Sequence, residues 1–174
     1  IAIEATMLMK NTAPGLNRAF SAQTFPQFEK TMWQNAREDA RSRIIKDSGF
    51  MAYASDIDPE CVKIAEENAK HAGVYGNMKI FQRDALTIQT EGRRGTLVCN
   101  PPYGERLFSM KETEELYKKM GNHFKTLDKW QMYIITSHEE FCKLFGRKAD
   151  KVRKLYNGMI PCYFYQFFKN DKNK

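Results

Sequence analysis

Asn100-Pro101-Pro102-Tyr103 is the stretch of this 174-residue chain whose residue types and spacing point most directly to chemistry. Two consecutive prolines donate no backbone N–H, and Pro101 pushes Asn100 out of the helical region. The backbone therefore runs stiff and extended, with the carbonyls of Asn100 and Pro101 open to a ligand. The Asn100 side-chain oxygen and the Pro101 carbonyl can each accept one N–H of a planar amine. Such an amine is a weak nucleophile, because its lone pair is delocalised into a ring or a carbonyl. Held by two acceptors, the lone pair can be aimed at an electrophilic methyl group, and Tyr103 offers a flat face for stacking. That is catalysis by positioning and electrostatics, with no acid–base pair and no covalent intermediate. The plainer alternative is a proline-rich turn that ends a strand.

The elements around the motif are those that would position it. Residues 96–99 are a short apolar, β-branched run, which reads as a buried strand stopping at Asn100. In an open α/β sheet, ligands bind just outside the carboxyl ends of such strands. Asn-Pro-Pro-Tyr after a strand resembles the catalytic motif of the S-adenosylmethionine-dependent amino-methyltransferases, a group that includes DNA adenine-N6, rRNA guanine-N2 and release-factor glutamine-N5 enzymes. The longer string Asn-Pro-Pro-Tyr-Gly-Glu-Arg-Leu, residues 100–107, and the Leu-Tyr-Asn-Gly of residues 155–158 are more specific. They resemble the 23S rRNA guanine-N2 methyltransferases that carry an N-terminal THUMP domain, with their Gram-positive relatives.

Residues 1–10 read as helix without a cap. In the resembled enzymes a strand and a glycine-rich loop that cradles the methionine end of the cofactor come immediately before such a helix. The expectation is therefore a catalytic domain, 1–174, truncated at its N-terminus and lacking that first strand and loop. Phe28, Met32, Ala36, Ala40 and Ile44 recur every four residues and read as the buried stripe of a long helix. Residues 50–55 read as a strand ending at Asp56, Asp58 as an N-cap and Pro59 as a first helical residue, with Val62, Ala65, Ala69 and Ala72 inward. An acid at the end of a Rossmann-like second strand grips ribose hydroxyls. Asp56 is expected there, with Ile57 against the adenine. Residues 78–82 form the third expected strand, and in the resembled enzymes an acid here, Asp84 with Ala85 beside it, accepts the adenine amino group. Asp56, Asp84 and Asn100 each follow successive strands, so all three can line one edge, and Asn100 counts as a cofactor contact as well.

Beyond the motif, Ser109-x-x-Glu112 is a capping box before a helix with Leu116, Met120, Phe124 and Leu127 on one face. Residues 130–136 read as a strong strand. Ser137-x-x-Glu140 reads as a second capped helix with Phe141, Leu144 and Phe145 inward. Residues 151–156 and 160–168 form a terminal hairpin turning at Asn157-Gly158.

With 42% hydrophobic residues, the composition suits one globular domain. No apolar run reaches the length of a membrane span. The four cysteines are widely separated, without a CxxC pair, and read as reduced thiols of a cytoplasmic protein and not as a zinc site. The net charge of +7 arises wholly beyond residue 142, where nine basic residues face Asp150 and Asp171. Lys148, Lys151 and Lys154, with Arg106 near the motif, are the candidate RNA-phosphate contacts; a solvated surface accounts for the basic run equally well.

The sequence thus reads as an α/β, Rossmann-like class I S-adenosylmethionine-dependent methyltransferase, its mostly parallel sheet closed by a C-terminal antiparallel hairpin. The expected reaction is methyl transfer to an exocyclic base amine, guanine N2 of 23S rRNA, with RNA as partner and a THUMP-like domain upstream. A DNA adenine-N6 methyltransferase shares the four-residue motif, and a silent RNA-binding domain would use the basic segment alone.

Overall fold

A computed structural model describes residues 1–103, 109–127 and 129–168. The chain forms two compact units, one of residues Ile1–Asp84 and one beginning at Ala85. In the first, helix α1 (Ala2–Met9) and helix α2 (Lys30–Ser42) precede a parallel pair of strands, β1 (Ala52–Asp56) and β2 (Met78–Gln82), joined through helix α3 (Pro59–His71). The register runs from Ala52 opposite Met78 to Asp56 opposite Gln82. Asp58 caps α3 as expected, accepting the Glu60 N–H at 2.8 Å, and Pro59 opens it. Ala69 is fully buried with Ala52, Val74 and Met78, while Ile3 and Met7 of α1 pack against this small core.

The second unit holds a four-stranded sheet in the order β3-β4-β6-β5: β3 (Gly95–Cys99), β4 (Trp130–Thr136), β5 (Lys151–Asn157) and β6 (Ile160–Phe167). β3 and β4 are parallel, whereas β6 runs antiparallel to β4 and to β5. Helices α4 (Met110–Phe124) and α5 (Phe141–Phe145) supply Tyr117, Met120, Phe124, Phe141 and Phe145 to the core against Leu97, Met132, Ile134, Tyr165 and Phe167. The Ser109/Glu112 capping box forms at the start of α4. Gly121 has no alternative, because a Cβ there would overlap the Phe145 carbonyl where α4 and α5 meet. Among the described residues no helix is long and apolar enough to cross a membrane.

Three expectations are corrected. The α2 stripe is displaced: Met32 is 55% exposed and Ala36 is exposed, while the half-buried Trp33 stacks on Phe20 and meets Phe28 edge-on. Aromatic partners from the preceding loop outweigh the four-residue repeat. Ser137 does not cap α5, which starts only at Phe141 behind an N-cap Glu140 that makes no side-chain capping bond. The Ser137–Glu140 turn is committed elsewhere, to Thr136 and Tyr165. The hairpin closes on Gly158-Met159, with Asn157 still paired to Ile160; Gly158 takes the left-handed φ of 62°.

Candidate active site

The motif leaves β3 at the carboxyl end of the parallel β3–β4 pair. Leu97 is buried below, Pro101 is buried, Pro102 and Tyr103 are half-buried, and Asn100 is exposed. One polar atom of this segment is tied down. The Tyr117 hydroxyl, on fully buried Tyr117, donates to the Pro102 carbonyl at 2.7 Å and lies 2.8 Å from Thr136 Oγ1. Because a carbonyl carries no proton, the phenol proton goes to Pro102 and Thr136 must donate to the phenol oxygen. Thr136 in turn accepts the His138 N–H at 3.1 Å. The resulting chain, His138 N–H to Thr136 to Tyr117 to Pro102, joins the end of β4 to the motif through α4. Burial pushes the Tyr117 phenol up to about 12 and the Cys99 thiol, just below the motif, up to about 11. Both stay neutral: Tyr117 is a donor and Cys99 is no nucleophile.

Tyr103 donates its hydroxyl to Asn100 Oδ1. That leaves the second lone pair of the carboxamide oxygen for a ligand N–H, and it fixes the tyrosine ring beside the asparagine. Burial and the neighbouring Cys162 and Cys99 raise the Tyr103 phenol. Tyr103 also lines a groove of about 360 Å³ with Met110, Ser137, His138, Glu139, Glu140 and Pro161, within the ~300–1,000 Å³ usual for small-ligand sites. The wall opposite the motif is braced: Tyr165 donates to the carbonyls of His138 and Glu139 at 3.2 and 3.3 Å, and Tyr163 donates to Glu139 Oε1 at 2.9 Å.

In the first unit, Asp56 and Asp84 lie at the same, carboxyl end of the β1–β2 pair. The Asp56 carbonyl accepts the Arg83 N–H at 2.8 Å, Asp56 Oδ1 accepts the Asp58 N–H at 3.0 Å, and the Ile57 side chain is 65% exposed. An exposed carboxylate beside an uncovered apolar side chain suits a ribose diol and an adenine face. Ala85 opens a short 3₁₀ turn, Ala85–Thr87, in the second unit.

This geometry has known counterparts. Over residues 1–166 the sequence matches the family described as RMKL-like, methyltransferase domain. The chain belongs to that family. It is 42% identical to YpsC of Bacillus subtilis (strain 168), a candidate RNA methyltransferase, over 97% of this chain and 44% of YpsC. It is 36% identical to the ribosomal RNA large subunit methyltransferase K/L of Shewanella baltica (strain OS155 / ATCC BAA-1091), over 94% of this chain and 24% of that protein. The crystal structure of SMU.472, a methyltransferase candidate complexed with SAH, superposes with a TM-score of 0.91 at 38% identity, covering 97% of this chain and 45% of that one. The chain thus spans less than half the length of these relatives.

Within this RMKL-like domain, the structure brings Asn100, Pro101, Pro102 and Tyr103 together, and Asp56 with Ile57 and Asp84. Lys148, Lys151 and Lys154 are exposed, the last two on β5, where every residue is exposed. Being three apart on a strand, Lys151 and Lys154 point to opposite faces. Arg106 lies outside the described residues. Not every member of the basic run is free: Arg147 donates to the Phe168 carbonyl at 2.7 Å and pairs with Asp150, and Lys143 pairs with Glu140. Sequence reasoning missed Tyr117, Thr136 and the Ser137–Glu140 wall. The signal for Tyr117 was its place in a second stripe, Thr113, Tyr117 and Met120, but its partner on the motif is set by tertiary packing.

Proposed function

We propose that the chain is the catalytic part of an S-adenosylmethionine-dependent methyltransferase acting on guanine N2 of large-subunit rRNA. The observation that carries the reading is the Asn100–Tyr103 segment, held at the carboxyl end of β3 by the Tyr117–Thr136 chain and opening on a groove of base-sized class. The family match runs across both units, and we take them as one catalytic domain. S-adenosylmethionine supplies the electrophilic methyl group; Asp56 is assigned to its ribose hydroxyls, Ile57 to the adenine face, and Asp84 and Ala85 to the adenine edge, with Asn100 toward the methyl.

Asn100 Oδ1 and the Pro101 carbonyl accept the two N–H groups of the base amine and orient its lone pair, and Tyr103 stacks on the ring. The nitrogen takes the methyl carbon, the sulfur keeps the bonding pair, and the methylated nitrogen releases one proton to solvent. Because the attacking amine must approach in line, the base is unpaired or turned out of its stack. RNA is the partner, as the names of YpsC and the K/L enzyme state for those proteins. Lys148, Lys151 and Lys154, Arg106 and a THUMP-like domain of the gene product are assigned to its phosphates and fold. Such a substrate is cytoplasmic. The test is transfer of tritium from labelled cofactor to rRNA, followed by nucleoside digestion. N2-methylguanosine is expected; label in N6-methyladenosine, or none, overturns the reading.

A further inference from the structure

The groove beside the motif has a second wall that the transfer step itself does not use. Its acidic members differ. Glu140 is turned to Lys143, whose ammonium lies 3.3 Å from its carboxylate, so its charge is already matched along α5. Glu139 has no basic partner among the described contacts and is instead aimed: Tyr163 donates to its Oε1 at 2.9 Å, and Tyr165 donates to the Glu139 carbonyl and to that of His138. Tyr163 and Tyr165 are two apart on β6 and therefore share a face, so one strand fixes both the backbone and the carboxylate of this residue. A carboxylate holds about four lone-pair sites, and one phenol leaves it with acceptor capacity.

Among the common bases that bear an exocyclic amine, guanine alone carries a ring N–H, at N1, next to the carbon bearing that amine. Adenine and cytosine present a ring lone pair at the equivalent place. We infer that Glu139 is the specificity-determining residue of this groove: its carboxylate accepts the guanine N1–H while Asn100 and Pro101 hold the neighbouring amine. This rests on the reading of the site as a guanine-N2 methyltransferase and adds how the base is chosen. An adenine or cytosine presented in the same pose sets its ring lone pair against the carboxylate and is refused by repulsion, an element of discrimination that does not depend on the amine. Glu139 acts on a spectator edge of the base, so it changes which base reacts more than how fast the methyl moves.

The experiment uses the full gene product and an RNA substrate whose target guanine is replaced by 2-aminopurine, which keeps the amine but puts a lone pair at N1. The wild-type protein is expected to favour guanine in kcat/KM by roughly 10- to 100-fold, the scale of one hydrogen bond to a charged acceptor. Glu139→Gln should bring the ratio to within about threefold, since a carboxamide can turn its N–H to a ring lone pair, with much of the change a gain on 2-aminopurine. Glu139→Asp, which keeps the acceptor, should retain the preference at a lower rate. Cofactor binding by calorimetry reports folding in each variant. Equal losses on both substrates in Glu139→Gln, leaving the ratio unmoved, overturn the inference and reduce Glu139 to a brace for Tyr163. A wild-type protein that puts no methyl on guanine N2 sinks the parent reading instead, whereas guanine methylation with an unmoved ratio sinks only this one.

Discussion

Tyr117→Phe removes one oxygen from the centre of the hydrogen-bonded chain that holds the motif. The ring stays, so its packing edge-on to Phe141, with centroids 4.9 Å apart, is kept. What is lost is the donor to the Pro102 carbonyl and the acceptor for Thr136. A half-buried carbonyl left without a partner costs roughly 1–2 kcal/mol, toward the lower part of the range for buried groups, because Thr136 can rotate to another acceptor. For a chain of this size that lowers the melting temperature by about 2–8 °C. The same energy no longer holds Asn100 and Pro101 in their pose. If all of it is felt at the motif, turnover falls about 5- to 30-fold, while the affinity for S-adenosylmethionine should stay within a few-fold, since Asp56 and Ile57, the residues assigned to its ribose and adenine, are untouched. Methyl transfer under saturating cofactor, calorimetry with the cofactor and a thermal melt together read this out. Thr136→Val should lose less, and the double variant should lose less than the sum, because both break one chain. A melting shift of the expected size with kcat within twofold of wild type would refute the reasoning, since the phenol would then be holding the fold and not the motif.

Asn100→Ala should lower methyl transfer on the order of 100-fold or more with cofactor affinity within a few-fold, because directed acceptors are worth several kcal/mol in such a step; a near-normal rate in a transfer assay contradicts the amine-holding role. Gly121→Ala should destabilise by about 1–3 kcal/mol or more, as the new methyl must drive α4 away from the Phe145 carbonyl, and an unchanged urea midpoint would show that the two helices can part freely. Cys99 and Tyr117 are acids kept neutral by burial, with folded values raised from 9.0 to about 11 and from 10.0 to about 12. The unfolded groups ionise first, so this contribution is whole below about pH 9 and is lost progressively as the pH climbs from about 9 to about 12, and denaturation midpoints measured from pH 8 to 12 should decline across that whole window. Replacing Lys148, Lys151 and Lys154 with Gln should flatten the slope of log K against log salt for RNA by about 2; an unmoved slope makes the basic run a solvated surface.

What could be read from the sequence was whatever is encoded locally. β2 and β4 have the bounds that their apolar runs imply, and β3 begins one residue earlier. The Ser109/Glu112 box and the Asp58-Pro59 start work through side chains within three residues of the backbone they cap. The same Ser-x-x-Glu spacing misled at Ser137, because a capping box competes with any other offer made to that turn, and here β4 and β6 made better ones through Thr136 and Tyr165. Met32 lost to Trp33 for a similar reason, as the aromatic pair with Phe20 and Phe28 comes from outside the helix. At the site, Asn100 and its prolines announced themselves by type. Tyr117 and Glu139 did not, since a buried tyrosine and a surface glutamate are common and only the sheet brings them to the motif's end of the second unit.

β5 is the outermost strand of the second unit's sheet, with β6 on one side and no further strand among the described residues on the other. Its seven residues are all exposed, and Val152, Leu155 and Tyr156 are interspersed there with Lys151, Arg153 and Lys154. An outer strand with unpaired backbone groups and exposed apolar side chains is a template for pairing with another copy, and closely spaced lysines are a common guard against that. The cations assigned to RNA phosphates thus also serve as colloidal protection, and the bound polyanion would shield the strand that it neutralises. Protein stripped of nucleic acid relies on charge repulsion alone along this edge. Salt that releases RNA will screen that repulsion at the same time, so purification at high ionic strength favours self-association through β5, and a Lys151/Lys154 variant should scatter light at concentrations where the native protein remains clear.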